Sequence, residues 1–280
     1  MATTFACTTC RDTRQVIEDT DLGLIHTGRP CPDCAQPEAE HAWSRVTFAT
    51  PDSRDRAWDT YSSGVAPQFA ADPITLGPVT SWGMMHDPKH LAFVLARYKF
   101  VAKMLEGKAD VLEIGCGDAF GTPTVAQTVG KLHAVDWDER YIEPTRRRLA
   151  GIANLSLRHF DITKMPVCPR VGTLFDAIYW LDVLEHLDPA REDRAWMNIV
   201  RSLKPNGILI TGTPNKAAAQ YASEPSRAQH INLKTHDELR ALTGRYFENV
   251  FMFGMNDEVV HTGFGPMCHY LISVGVGVKR

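Results

Sequence analysis

From residue 88 onward, short apolar runs alternate with amphipathic ones, and this alternation constrains the fold more than any other feature. PKHLAFVLARYKFVAKMLEG sets Leu91, Val94, Leu95, Tyr98, Val101, Ala102 and Leu105 on one face of a helix. ADVLEIG, LHAVD, LSLRHFD, TLFDAIYWL, GILITGT, ENVFMFG and HYLISVGVGV read as strands. Between them lie helical stretches with recognisable starts. One opens at Thr122, with Pro123 at its first position and Gly130 past its end. A second turns Ile142, Thr145 and Leu149 inward and leaves Arg146, Arg147 and Arg148 as a solvated face. A third follows Asp188-Pro189 and buries Trp196, Ile199 and Leu203; a fourth begins with the capping box Thr235 to Glu238. Strands alternating with helices predict an α/β fold, a doubly wound, mostly parallel sheet of seven strands. The last two strands leave no room for a helix between them, so the final strand is expected antiparallel. Ligands on such sheets sit beyond the carboxyl ends of the strands. That selects the loops after residues 115, 136, 160, 180 and 212.

The first forty residues follow another logic. Four of the seven cysteines form CTTC (Cys7, Cys10) and CPDC (Cys31, Cys34), twenty residues apart. Two such pairs supply four thiolates for one tetrahedral Zn2+ and leave no position open for substrate, so the site reads as structural. A segment this short buries too little apolar surface to fold alone, and the metal would supply the missing stability. Cys116, Cys168 and Cys268 are scattered in strand-like or glycine-rich contexts and read as buried small hydrophobes. Residues 41–87 are rich in turn formers without periodicity, and read as a linker or lid. The expected organisation is therefore a zinc ribbon over 1–40, a linker or lid over 41–87 and a ligand-binding domain over 88–280.

Charge and hydropathy exclude some classes. A net charge of −3 gives no global positive field for nucleic acid. No apolar run approaches the roughly 20 residues that span a bilayer. MATTFACTTCRD lacks the basic and apolar regions of a secretory signal, so the expected location is the cytoplasm.

The loop VLEIGCGDAFG identifies the ligand class. Its spacing, Gly115-x-Gly117-x-x-x-Gly121, is one residue longer than a dinucleotide fingerprint, and no Gly-Lys-Ser/Thr is present. Glu113 precedes the first glycine by two residues, where a carboxylate would repel a pyrophosphate and suit an ammonium group. Here the chain resembles the class I S-adenosylmethionine-dependent methyltransferases, with their Rossmann-like sheet, over residues 88–280. The resemblance implies that Glu113 faces the methionine end of S-adenosyl-L-methionine and that Gly115 and Gly117 let the backbone approach it. It implies that Asp136 holds the ribose hydroxyls and Trp137 packs on adenine. Asp161 would take the adenine amino group, with Ile162 alongside and Trp180 beside the methionine arm. LKPNGILITGTPN matches the family's usual fifth-strand entry. Arg97 reads as a surface arginine.

Methyl transfer from a sulfonium needs alignment and a dry site, and a base only where the acceptor must lose a proton. Candidates for that role are Glu185 and His186 in DVLEHLDP, His230 in SRAQHINL and His261 in MNDEVVHTGF. Asp182, Glu185 and His186 also resemble the acidic-acidic-His sets that hold a divalent metal in quinone O-methyltransferases of this superfamily. A second metal is thus one reading of them, and a hydrogen-bonded structural dyad is the other. The preferred acceptor is a hydroxyl oxygen of a small polar metabolite: a sugar, nucleotide-sugar or secondary metabolite. Two alternatives stay open: a zinc-ribbon methyltransferase of RNA or protein, and a non-catalytic binding protein on the same fold.

Overall fold

The computed structural model describes residues 75–168 and 173–279, residue 59, and the backbone of 15–20 and 23–30. The chain divides into two compact units, Met1–Pro73 and Ile74–Arg280. In the first, β1 (Gln15–Thr20) and β2 (Gly23–Pro30) form an antiparallel hairpin in which Thr20 faces Gly23 and Gln15 faces Pro30. Cys7, Cys10, Cys31 and Cys34, the expected zinc ligands, lie outside the described residues.

The second unit opens with helix α1 (Pro78–His86) and helix α2 (Pro88–Met104). It continues through β3 (Asp110–Ile114), α3 (Thr122–Ala126), β4 (Lys131–Asp136), α4 (Glu139–Arg148), β5 (Leu155–His159) and β6 (Phe175–Leu181). Then come α5 (Pro189–Ser202), β7 (Leu203–Pro214), α6 (Glu224–Gln229), α7 (His236–Gly244), β8 (Phe247–Asn256), β9 (Val259–His261) and β10 (Tyr270–Val278). The strand order is β5-β4-β3-β6-β7-β10-β8-β9. Pairings are parallel from β5 to β7 and antiparallel from β7 outward. The sheet therefore has eight strands rather than the expected seven. The extra one arises because the chain reverses through Asp257, at φ 49°, and Glu258, so that Asn256 faces Val259. What reads in sequence as one long turn is a hairpin with a three-residue edge strand.

Side chains alternate across the sheet with the period of two, and each face meets a different layer. Leu112, Ile114, Ile178 and Trp180 join Trp196 and Ile199 of α5 and Leu239 of α7. Val111, Ala177, Tyr179 and Leu181 join Tyr98 and Val101 of α2 and Val125 of α3. Each fully buried Leu, Ile or Val in these layers contributes about 2 kcal/mol. The capping box at Thr235 and Glu238 forms as the sequence predicts, and Asp188 caps α5 through the amide of Ala190 at 2.9 Å. In α2, Leu91, Tyr98, Val101 and Ala102 are buried as expected, as is Leu105 just after it, while Leu95 faces outward. Its place inward is taken by Arg97, which is 8% exposed. Cys116 and Cys268 are buried, whereas Cys168 is exposed on the loop before β6. Arg148 is half-buried rather than solvated, because its guanidinium donates to the carbonyl of Asp118.

The strand order reverses between β3 and β6, which places the switch point beside the glycine loop. The segments that follow β3, β4 and β5 flank it on one side; those that follow β6 and β7 flank it on the other.

Candidate active site

The glycine loop leaves β3 with Gly115 at φ 78° and Gly117 at φ 52°, a region that favours residues without a Cβ. A Cβ on Gly115 would also lie 2.2 Å from Val183, so the segment after β6 packs directly on this residue. Around Gly117 there is open space, and a ligand can approach its backbone. Asp136, at the end of β4, binds the loop in place. Its Oδ2 accepts from the Gly117 amide at 2.8 Å and its Oδ1 from the Asp138 amide at 2.8 Å. Both loops that would flank a ribose are thus stapled by one 7% exposed carboxylate.

Glu113 shares the face of Val111 and points toward α2. It is buried, and its Oε1 accepts from the Tyr98 hydroxyl at 2.7 Å. Its Oε2 has no hydrogen-bond partner, nor have the hydroxyls of Thr122 and Tyr179. Burial pushes the carboxyl up to about 7, against the pull of the hydroxyls around it. A positive charge nearby would relieve that cost, and an ammonium group suits the position.

Trp137 follows Asp136 with its ring 72% exposed, free to stack. Asp161 stands after β5. Burial works to raise its pKa, but hydrogen bonds from the Thr163 amide (2.9 Å) and hydroxyl (2.6 Å), with Lys164, hold it below the usual value. Ile162 and Trp180 belong to the core rather than to an open surface. Ile162 is buried, and its carbonyl accepts from Asn198 at 2.7 Å. Trp180 donates to the Thr211 hydroxyl at 2.6 Å and packs edge-on against Trp196.

Across the switch point, β6 is followed by Asp182 at φ 56°. Arg97 Nη1 donates to both oxygens of Asp182, at 2.9 and 2.7 Å, and its guanidinium lies 3.8 Å over the Tyr270 ring. Arg97 is thus a buried brace and not a surface residue.

Beyond Asp182, a short 3-10 turn (Leu184–His186) carries Glu185 and His186. Glu185 is buried and accepts from the Thr213 hydroxyl at 3.0 Å; burial first, then Asp182, pushes its carboxyl up to about 8. The segment after β7 folds over this turn. The Asn232 amide donates to the Glu185 carbonyl at 3.0 Å, and its side chain donates to Glu192 at 2.7 Å. That docking brings His230 to His186, with ring centroids 5.1 Å apart at 70°. One donor atom each from Glu185, His186 and His230 lies within 4.8 Å of the others. His230 is pulled below its ordinary pKa by burial and by His186.

His261 does not join them. It lies on β9, three strands outward from β7, or about 14 Å. Both of its ring nitrogens are occupied, one by Asn256 Oδ1 at 3.0 Å and one by the Gly263 amide at 3.0 Å. It organises the hairpin instead.

Asp118 escaped the sequence reading. It sits in the glycine loop, 6% exposed, and accepts from the Thr80 amide at 2.8 Å and the Thr80 hydroxyl at 2.9 Å. It thereby caps α1 from 38 residues away. The local signal was only Gly77-Pro78 at a helix start, whose missing cap comes from elsewhere in the chain.

Residues 111–207 match the methyltransferase domain family. The chain is 29% identical over 121 residues to a probable S-adenosylmethionine-dependent methyltransferase of Mycolicibacterium smegmatis, covering 42% of this chain and 43% of that one. It is 24% identical over 167 residues to the ubiquinone biosynthesis O-methyltransferase of Rickettsia akari, covering 58% and 64%. The chain thus spans about half the length of the curated relatives it matches. Its fold is similar to that of the N-methyltransferase NodS of Bradyrhizobium japonicum in complex with S-adenosyl-L-homocysteine. The TM-score is 0.50 at 20% identity, over 78% of this chain and 98% of that one. Residues 111–207 thus match a methyltransferase domain, and the sheet around them has the fold of that N-methyltransferase.

Proposed function

We propose that this chain, an S-adenosylmethionine-dependent methyltransferase, places the methyl group on a hydroxyl oxygen of a small polar metabolite. The observation that carries the acceptor reading is the meeting of Glu185, His186 and His230 across the switch point from the glycine loop. An uncharged amine nitrogen can attack through its own lone pair; a hydroxyl must lose a proton, and polar groups that handle one are what the second side of the site offers.

The residues present suit the cofactor. The unpartnered oxygen of Glu113 favours an ammonium, the open face at Gly117 admits the chain of the ligand, and the exposed Trp137 ring offers a stacking surface beside Asp136 and Asp161. When bound, S-adenosyl-L-methionine supplies a methyl carbon activated by its sulfonium. The protein fixes the loops through Asp136, keeps the end of β6 rigid through Arg97 and Asp182, and holds the acceptor hydroxyl against the Glu185 cluster.

Incubating the purified chain with methyl-labelled cofactor and fractionated cell extract tests this. Label in a small molecule, through a base-stable ether, is the expected result. Label confined to RNA or protein would replace the acceptor class, and no incorporation despite cofactor binding would replace catalysis by a binding role.

For the N-terminal segment we propose a structural zinc site at Cys7, Cys10, Cys31 and Cys34. The β1–β2 hairpin supports it, because it returns Pro30 opposite Gln15 between the two cysteine pairs. One zinc per chain, reduced in Cys7→Ser, is expected; full zinc content in that variant would remove the assignment. We keep residues 41–87 as the linker or lid and 88–280 as the catalytic domain, with α1 pinned to the glycine loop by Asp118.

A further inference from the structure

The sequence brings together Asp182, Glu185 and His186 as one possible cation set. The folded chain takes the first of these away, since both oxygens of Asp182 are held by Arg97. It supplies another residue, His230, from 44 positions beyond His186. We propose that Glu185, His186 and His230 bind a divalent metal ion whose open positions take two neighbouring oxygens of the methyl acceptor.

Four observations support the site. The three donor atoms lie within 4.8 Å of one another. Ligands around one ion at about 2.1 Å sit roughly 3–4 Å apart, so a small rotation of the exposed His186 ring brings the set to ligating distance. The tautomer of His186 is set by its neighbour. Its Nδ1 faces the Gln229 carbonyl at 3.2 Å, and a carbonyl can only accept, so Nδ1 carries the proton and Nε2 keeps a free lone pair. A ligating imidazole characteristically donates its other nitrogen to such a carbonyl. Glu185 is buried and forms no direct ion pair among the described residues, with Arg97 acting on it only at longer range. Finally, Asn232 and Thr213 hold the two segments together from behind, as an outer shell must.

Two imidazoles and one carboxylate suit borderline ions, Mn2+, Fe2+, Co2+ or Zn2+, better than Mg2+ or Ca2+. Three protein ligands leave positions for substrate oxygens. A hydroxyl on the ion loses its proton to solvent water more readily, and an adjacent oxygen chelates and orients it. The oxygen lone pair then forms the new O–C bond while the C–S bond breaks, its electron pair going to sulfur. This acceptor, a hydroxyl with an oxygen neighbour, rests on the methyl-transfer reading; the metal site itself does not.

The test is Mn2+ binding to the full chain, followed by the electron paramagnetic resonance of the free ion after zinc content has been measured. Thiolate sites do not favour Mn2+, so the cysteines do not compete. We expect one Mn2+ per chain, with affinity reduced roughly tenfold or more in His186→Ala and His230→Ala. Asp182→Asn, whose side chain tolerates the positive φ, should change affinity far less. An ion that co-purifies beyond the cysteine site and is lost in His230→Ala supports the proposal equally. Circular dichroism and calorimetry with S-adenosyl-L-methionine confirm that each variant is folded, and His230→Gln replaces any alanine variant that is not. Equal Mn2+ binding in wild type and His230→Ala overturns the proposal, as does no binding at millimolar Mn2+ without a co-purified ion. Loss in Asp182→Asn with none in His230→Ala overturns it in favour of the other set. Intact Mn2+ binding without methyl transfer would count against the function and leave the site standing.

Discussion

The two sides of the switch point are built by opposite means. On the side of β3, β4 and β5, carboxylates are committed to backbone amides: Asp136 to Gly117 and Asp138, Asp161 to Thr163. Those loops are fixed before any ligand arrives. On the side of β6 and β7, Glu185, His186 and His230 converge from two segments that Asn232 bridges. The first side can hold one ligand in one pose, as a cofactor common to many reactions requires. The second gathers a carboxylate and two imidazoles at a junction of two segments, and on the proposed reading it is there that the acceptor is chosen.

The sharpest way to break this contrast is Asp136→Ala. It removes two charge-assisted hydrogen bonds and the expected ribose contact, so cofactor affinity should fall by about a hundredfold or more, near 3 kcal/mol, by calorimetry. An unchanged affinity would mean that the loops are not held by this carboxylate.

Next comes Glu113, whose carboxyl is raised to about 7. The folded state then binds its proton more tightly than the unfolded state does. The contribution is fully present below the ordinary glutamate range and is lost as pH rises through about 7. Glu113→Gln should remove that loss, on the order of 3 kcal/mol, so its stability relative to wild type should rise between pH 4 and pH 8 in urea titrations. A constant difference across that window would show that Glu113 is not a strained buried acid.

Asp118→Asn should cost about 2 kcal/mol by weakening the cap on α1. It should also speed protease cleavage around residue 77. Resistance equal to wild type would separate α1 from the glycine loop. The smallest effect is expected at His261. His261→Gln keeps a polar partner for Asn256 and should change turnover by less than about twofold. A large loss of turnover would move the reactive side of the site outward to β9.

The same contrast decides what could be read from the chain before it was folded. Gly115, Gly117, Asp136 and Asp161 lie directly after apolar runs, so a strand pattern places them at one edge of the sheet. His230 carries no such mark. It follows α6, and tertiary hydrogen bonds of Asn232 and of the Gln229 carbonyl, which no local pattern encodes, bring it to His186. Arg97 misled because its helical position borders the exposed face; the guanidinium turns inward to reach Asp182, which no helical periodicity encodes. Trp180 lies at the end of an apolar run as predicted, but the alternation along β6 points it into the α5 layer. The ninth strand was hidden by its length, since three residues give no measurable alternation.

β10 lies between β7 and β8 and pairs with both through nearly its whole length. As the chain emerges from a ribosome, β7 and β8 are therefore complete while each still lacks its neighbour, and two raw edges wait for the same nine-residue segment. The half of the sheet that carries α7 can lock only after β10 threads between them. Premature release upstream of Tyr270 would leave a species with exposed pairing edges, prone to join copies of itself.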